Sequence, residues 1–100
     1  ANQEDHVSMA AHGAVRLQRM ISNLHGILGV ELLCAAQGIE FRTPLVSSDP
    51  LVRCISRLRE DVPALIEDRF LAPDIEVASK LVASNEIITA TGVDMPHVWV

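Results

Sequence analysis

Aromatic residues are scarce in this 100-residue chain: Phe41, Phe70 and Trp99 are the whole set, and tyrosine is absent. A core built without them must be aliphatic. Basic residues are few and scattered. The net charge is −5, and the eight lysines and arginines alternate with acids instead of forming a patch, which argues against nucleic acid as a partner. Long apolar runs are missing too, because Glu31 interrupts the best candidate, and no basic-then-apolar leader is present. The chain reads as soluble, with no membrane partner. There are two cysteines, Cys34 and Cys54, without CxxC spacing, and they are expected to be free, buried thiols in a reducing cytoplasm.

What is present is helical patterning. From about His6 to Gln37 there is no proline, and apolar residues recur through Leu17, Met20, Ile21, Leu24, Ile27 and Leu28. The spacing predicts one long helix of about 45 Å, which exceeds a compact domain of this size and must project or join a bundle. Ile27 to Ala36, "ILGVELLCAA", is apolar almost all round, the pattern of a helix surrounded by other helices. Gly13, Gly26 and Gly29 each cost about 1 kcal/mol in a helix interior, which close helix–helix approach best explains, with a local kink as the alternative. Gly38 is expected to end the helix as its C′ residue.

After a connector with Pro44 and Pro50, a second helix is predicted to start at Ser48 or Asp49, run to about Asp61, and bury Leu51, Ile55, Leu58 and Val62. Pro73 opens a third, to about Ala83, closed by Ser84 and Asn85, with Asp74 and Glu76 in its first turn. The chain thus divides into a helical segment, 1–85, and a tail, 86–100, expected to be extended or loose. The fold class is all-α: a long bundle helix followed by two shorter helices.

Chemistry-bearing residues cluster at the opening, "NQEDHVSM", Asn2 to Met9. Glu4 and Asp5 stand where the long helix is predicted to begin. Carboxylates there complement the helix dipole by about 0.3–1 kcal/mol. They also suit a proton acceptor or ammonium binder aimed into a cleft. His6 and His12 point in nearly opposite directions on a helix, and no HExxH or CxxC ligand set exists, so a metal site is not expected. Ser8 lacks a base–acid pair for a hydrolase triad. "EDRFLAPDIE", Glu67 to Glu76, gathers acids and apolar anchors around Arg69, as either a solvated turn with an ion pair or a docking loop.

The opening stretch, the long helix ending "ELLCAAQGIEFR" (Glu31 to Arg42) and "EDRFLAPDIE" together resemble, in order and spacing, the C-terminal part of histidine ammonia-lyases, within the aromatic amino-acid lyase and aminomutase family. The resemblance covers Ala1 to about Ser84, and Phe70 stands where that family often has tyrosine. It implies a cytoplasmic, all-α homotetramer built on a central bundle of long helices. The implied reaction eliminates ammonia from L-histidine to give urocanate, in histidine catabolism, at sites shared between subunits. The implied cofactor is 4-methylideneimidazole-5-one (MIO), formed from an internal Ala-Ser-Gly. No such tripeptide occurs here; Ala83-Ser84-Asn85 is the nearest string and lacks the glycine nitrogen that cyclises. The chain is therefore expected to be a C-terminal fragment, inactive alone, with no cofactor-binding or metal residue of its own. Carried over by motif, Glu4 matches the active-site glutamate, with Gln3 beside it as a substrate-binding residue. The alternative is a non-catalytic helical module that self-associates through the apolar half of its long helix.

Overall fold

The structure, a computed structural model, describes residues 7–97. Four helices follow in order: α1, Ala10–Glu40; α2, Asp49–Asp61; α3, Ala72–Ala83; and α4, Glu86–Thr91. Among the described residues there is no strand, so the fold is all-α as the patterning predicts.

At 1.5 Å per residue α1 is about 46 Å long. It projects well beyond the body formed by the other helices: the molecule measures 70 × 36 × 19 Å, with a radius of gyration of 19.0 Å against about 13 Å for a compact domain of this length. Helix α3 packs along the C-terminal half of α1, while α4 packs on α2 and touches α3.

The register of α1 against α3 is set at Gly29. A Cβ there would lie 2.7 Å from Ser79 Oγ, 2.8 Å from Ser79 N and 3.0 Å from Ser79 Cα, so only glycine admits the backbone of α3 this closely. Gly13 and Gly26 have nothing within 4 Å, so close approach within this chain explains one of the three helical glycines. Below that contact, Leu58 and Val62 of α2 and its cap are wedged with Ala36 of α1 and Ala78 and Leu81 of α3 into a small aliphatic core. Leu32, Leu33, Ile55, Val77 and Ile87 pack around it. Leu51, expected in the core, is half exposed at the far end of α2.

Helix ends follow local chemistry. Ser48 precedes α2 in an extended conformation, Pro50 lies in its first turn, and Val62 ends it in the β region that a residue before proline favours. The start of α1 is at Ala10, with Met9 as N-cap, four residues later than the periodicity predicts. Its end also differs. Gly38 is helical, and the last turn runs to Glu40 before Phe41, Arg42 and Thr43 close a tighter turn ahead of Pro44. A glycine permits termination without enforcing it, and two anchors keep this turn wound. Gln37 both donates to Leu65 O (3.2 Å) and accepts from Leu65 N (2.9 Å), and Glu40 binds Arg59 through both carboxylate oxygens (2.7 and 2.8 Å).

Residues 86–91, expected to be loose, form α4. Its propensity is poor, being rich in β-branched residues, and tertiary contacts override it. Ile87 packs against the core, and Glu86 binds Arg57. Arg53 donates from Nε to Ala90 O and Thr91 O, both at 3.2 Å. Asn85 and Gly92, both left-handed with φ of 63° and 67°, delimit the helix.

Candidate functional site

The residues that the opening motif singles out, Gln3 and Glu4 with Asn2, Asp5 and His6, lie outside the described residues. What the structure defines is the mount behind them. Helix α1 begins at Ala10, without an acidic residue in its first turn, and the first-turn reading of Glu4 and Asp5 lies outside the described residues. Ser8 Oγ accepts weakly from the Ala10 N–H at 3.3 Å. From there the first half of α1 carries His12, Arg16 and Arg19 on one exposed side, and none of them reaches an ion-pair partner among the described residues.

At the other end of α1, about 40 Å away along the helix, is a cavity of about 340 Å³. Its walls are mainly apolar, from Leu33 and Cys34 on α1, Phe41 just past its end, and Val62, Leu65 and Leu71 on the segment between α2 and α3. The polar groups at its edge are already engaged. Arg59 is held by Glu40 and also donates to Val62 O at 3.2 Å. Arg69 pairs with Asp74 at 2.9 Å and donates to Pro63 O (2.7 Å) and Ala64 O (3.2 Å). Arg69 therefore organises its own loop, the ion-pair alternative for "EDRFLAPDIE", while Ile66 and Phe70 are left 92% and 82% exposed at its surface. With every charged group satisfied locally, this cavity offers packing and no catalytic constellation.

Electrostatics supports the same division. The Arg59 guanidinium hydrogen-bonded to Glu40 holds that carboxyl below its ordinary range, against the opposing effect of partial burial. Glu86 is lowered by hydrogen bonds from Arg57 and Ser84, and Glu76 by Lys80. Burial pushes the Cys54 thiol up, with Arg53 opposing; its Sγ faces Ile87 O at 3.6 Å under α4. Both cysteines are free, but Cys34 is exposed on α1, not buried as expected, because α3 covers the opposite side of the helix. Among the described residues no three His, Cys, Asp or Glu side chains converge as a metal site, and no helix is long and apolar enough to cross a membrane.

The tripeptide nearest to a cofactor precursor, Ala83-Ser84-Asn85, forms the α3–α4 junction. Ser84 Oγ is engaged with Leu81 O (3.3 Å) and Glu86 Oε1 (3.1 Å), and Asn85 occupies the residue position that the precursor requires as glycine. These residues do not fit MIO formation.

Sequence reasoning missed the residues that hold the body together: Gln37, Glu40, Arg53, Arg57 and Arg59. Their partners are between 19 and 38 residues away, beyond any local pattern.

The described residues form an all-helical unit in which one long helix projects from a small body packed on its C-terminal half. The aromatic amino acid lyase family matches residues 1–60, and the chain belongs to that family. It is 59% identical over 96 residues to histidine ammonia-lyase of Roseobacter denitrificans (strain ATCC 33942 / OCh 114), a match covering 96% of this chain. The match extends past Ser84 and so includes α4. The chain spans 18% of the length of that curated relative.

Proposed function

We propose that these residues are the C-terminal part of a histidine ammonia-lyase, which eliminates ammonia from L-histidine to give urocanate, the first step of histidine catabolism, in the cytoplasm. The observation that carries this reading is the 59% identity to a histidine ammonia-lyase over nearly the whole chain. MIO would supply the electrophile from residues elsewhere in a full-length homotetramer. This segment would contribute bundle helices, subunit contacts and one active-site carboxylate, and would be inactive alone.

In that enzyme Glu4 binds and orients the charged end of the substrate, with Gln3 beside it as a hydrogen-bonding partner. An ionised carboxylate is a good partner for an ammonium or imidazolium. Enclosure between subunits raises a carboxyl pKa toward neutrality and makes proton transfer the second role open to Glu4. The test is urocanate formation, followed by its near-ultraviolet absorbance, with full-length enzyme carrying Glu4→Gln. A raised KM supports substrate binding; an unchanged KM with collapsed kcat assigns Glu4 to proton transfer. No urocanate from the unsubstituted enzyme would refute the lyase reading and favour a non-catalytic self-association module.

A further inference from the structure

Helix α4 is attached to the rest of the chain by charge and hydrogen bonds more than by burial. None of its residues is buried, and the buried core side chains among the described residues, Ala36, Leu58, Val62, Ala78 and Leu81, all come from elsewhere. Ile87 is its one side chain packed against that core. Its polar attachments come from one face of α2. Arg57 pairs with Glu86 at the start of α4, and Cys54 Sγ donates weakly to Ile87 O at 3.6 Å. At the end of α4, Arg53 Nε donates to Ala90 O and Thr91 O, both at 3.2 Å. Segments with few buried apolar contacts and solvent-exposed hydrogen bonds are the ones that open locally while the remainder stays folded.

What distinguishes α4 from a frayed end is that its charges have second partners. Arg57 Nη1 is also 3.0 Å from Asp61 and 3.2 Å from Glu60, four and three residues along its own helix. Glu86 also accepts from Ser84 Oγ at 3.1 Å, beside the junction with α3. When α4 swings away from α2, neither charge is stranded: Arg57 keeps Asp61 and Glu60, and Glu86 keeps Ser84. The Glu86 carboxyl is lowered chiefly by its hydrogen bond from Arg57 and then by Ser84, while Asp61 repels it across the shared guanidinium. The junction is built as a hinge, because Asn85 is left-handed with φ of 63° and interrupts the helix between α3 and α4.

We propose that α4 is a strap with two satisfied states, closed on α2 over Cys54 and open about Asn85, and that competition between Glu86 and Asp61 for Arg57 sets the balance between them. Closed, the Ile87 carbonyl lies on the thiol and shields it. Open, the thiol meets small electrophiles in solvent. Raised ionic strength favours the open state, because the cross-helix pair is exposed and screened while the pairs within α2 are kept close by their own helix. This device goes beyond the lyase reading and does not depend on it.

The test is the rate at which N-ethylmaleimide modifies Cys54 in the full-length protein, read by mass spectrometry of its peptide. Going from about 50 mM to about 500 mM salt should raise the rate severalfold. Arg53→Ala should raise it roughly tenfold, since the hydrogen bonds it removes are charge-assisted. Burial raises the Cys54 thiol and Arg53 opposes that rise, so removing or screening Arg53 leaves less of the reactive thiolate. Faster modification then reports opening. Asp61→Asn separates a strap from an ordinary packed helix. Without Asp61 to compete, Arg57 holds Glu86 more firmly, and modification should slow by about two- to threefold. An unchanged or faster rate in Asp61→Asn overturns the two-state balance. A rate insensitive to both salt and Arg53→Ala overturns the strap, as does modification that begins only at denaturant concentrations where the whole protein unfolds.

Discussion

Gly29 of α1 lies against the backbone of Ser79 in α3, at a distance that leaves no room for a methyl group. Ser79 cannot yield by rotating its side chain, because its N and Cα would also be within 3.0 Å of the added carbon and its Oγ is bonded to Ile75 O at 2.7 Å. Gly29→Ala must therefore separate the two helices. The expected destabilisation is about 1–3 kcal/mol, read as a lowered denaturation midpoint. Gly26→Ala, with nothing within 4 Å of the new Cβ, should be neutral or stabilising by up to about 1 kcal/mol through helix propensity. Equal losses at both positions would show that the α1–α3 contact is not what glycine serves.

The core is small, so single residues carry much of it. Leu58 is fully buried where α1, α2 and α3 meet, and among the described residues Val62 is the only other large side chain buried as deeply. Leu58→Ala should cost about 2–5 kcal/mol. Leu51→Ala, at a half-exposed position on the same helix, should cost well under half as much. Chemical denaturation of the two variants compares them directly.

How far the sequence foretold this structure varies with the range of the interactions concerned. The bounds of α2 and α3 were readable from Pro50, Pro73 and Asn85, since proline and left-handed residues act on their immediate neighbours. The projection of α1 followed from length alone. Gly38 misled because the turn beyond it is held by Arg59 and Leu65, distant in sequence. The α4 helix was invisible because Arg53 and Arg57, not local propensity, organise it. For the candidate site the motif names Gln3 and Glu4, which lie outside the described residues, so their roles rest on likeness and not on geometry.

The Glu40–Arg59 pair joins the end of α1 to α2 and gives stability a pH dependence with a definite sign. The Glu40 carboxyl is lowered from 4.5 in the folded chain. A lowered carboxyl contributes stability that is fully present above its unfolded value and is lost as pH falls through that value toward the folded one. Stability should therefore decline below about pH 4.5, with this pair accounting for on the order of 1 kcal/mol or less after solvent screening. Glu40→Gln should flatten the acid limb of the denaturation midpoint and lower the plateau near neutrality. An unaltered acid limb would exclude the pair as its source.

Two arginines one helical turn apart on α2 hold the opposite ends of α4. Arg57 bonds to Glu86 at its start and is shared with Asp61 at 3.0 Å, while Arg53 donates to Ala90 O and Thr91 O at its end. Those last carbonyls have no partners within the helix, so Arg53 acts as a distant cap. Gly92 lies against the same guanidinium, 3.5 Å from where its Cβ would be, and its positive φ already disfavours any other residue. Six residues are too few to be helical without such support. Arg53→Ala should therefore release α4 while leaving α1 and α3 intact. Hydrogen exchange should show amides 89–92 losing protection, with the α1–α3 contact around Gly29 unchanged. Arg57→Ala should have a similar but smaller effect, because Ser84 still holds Glu86, and raised salt should reproduce part of it, since the Arg57–Glu86 pair is exposed to solvent. Retained protection in Arg53→Ala would mean that Ile87 packing alone is sufficient to keep α4 folded.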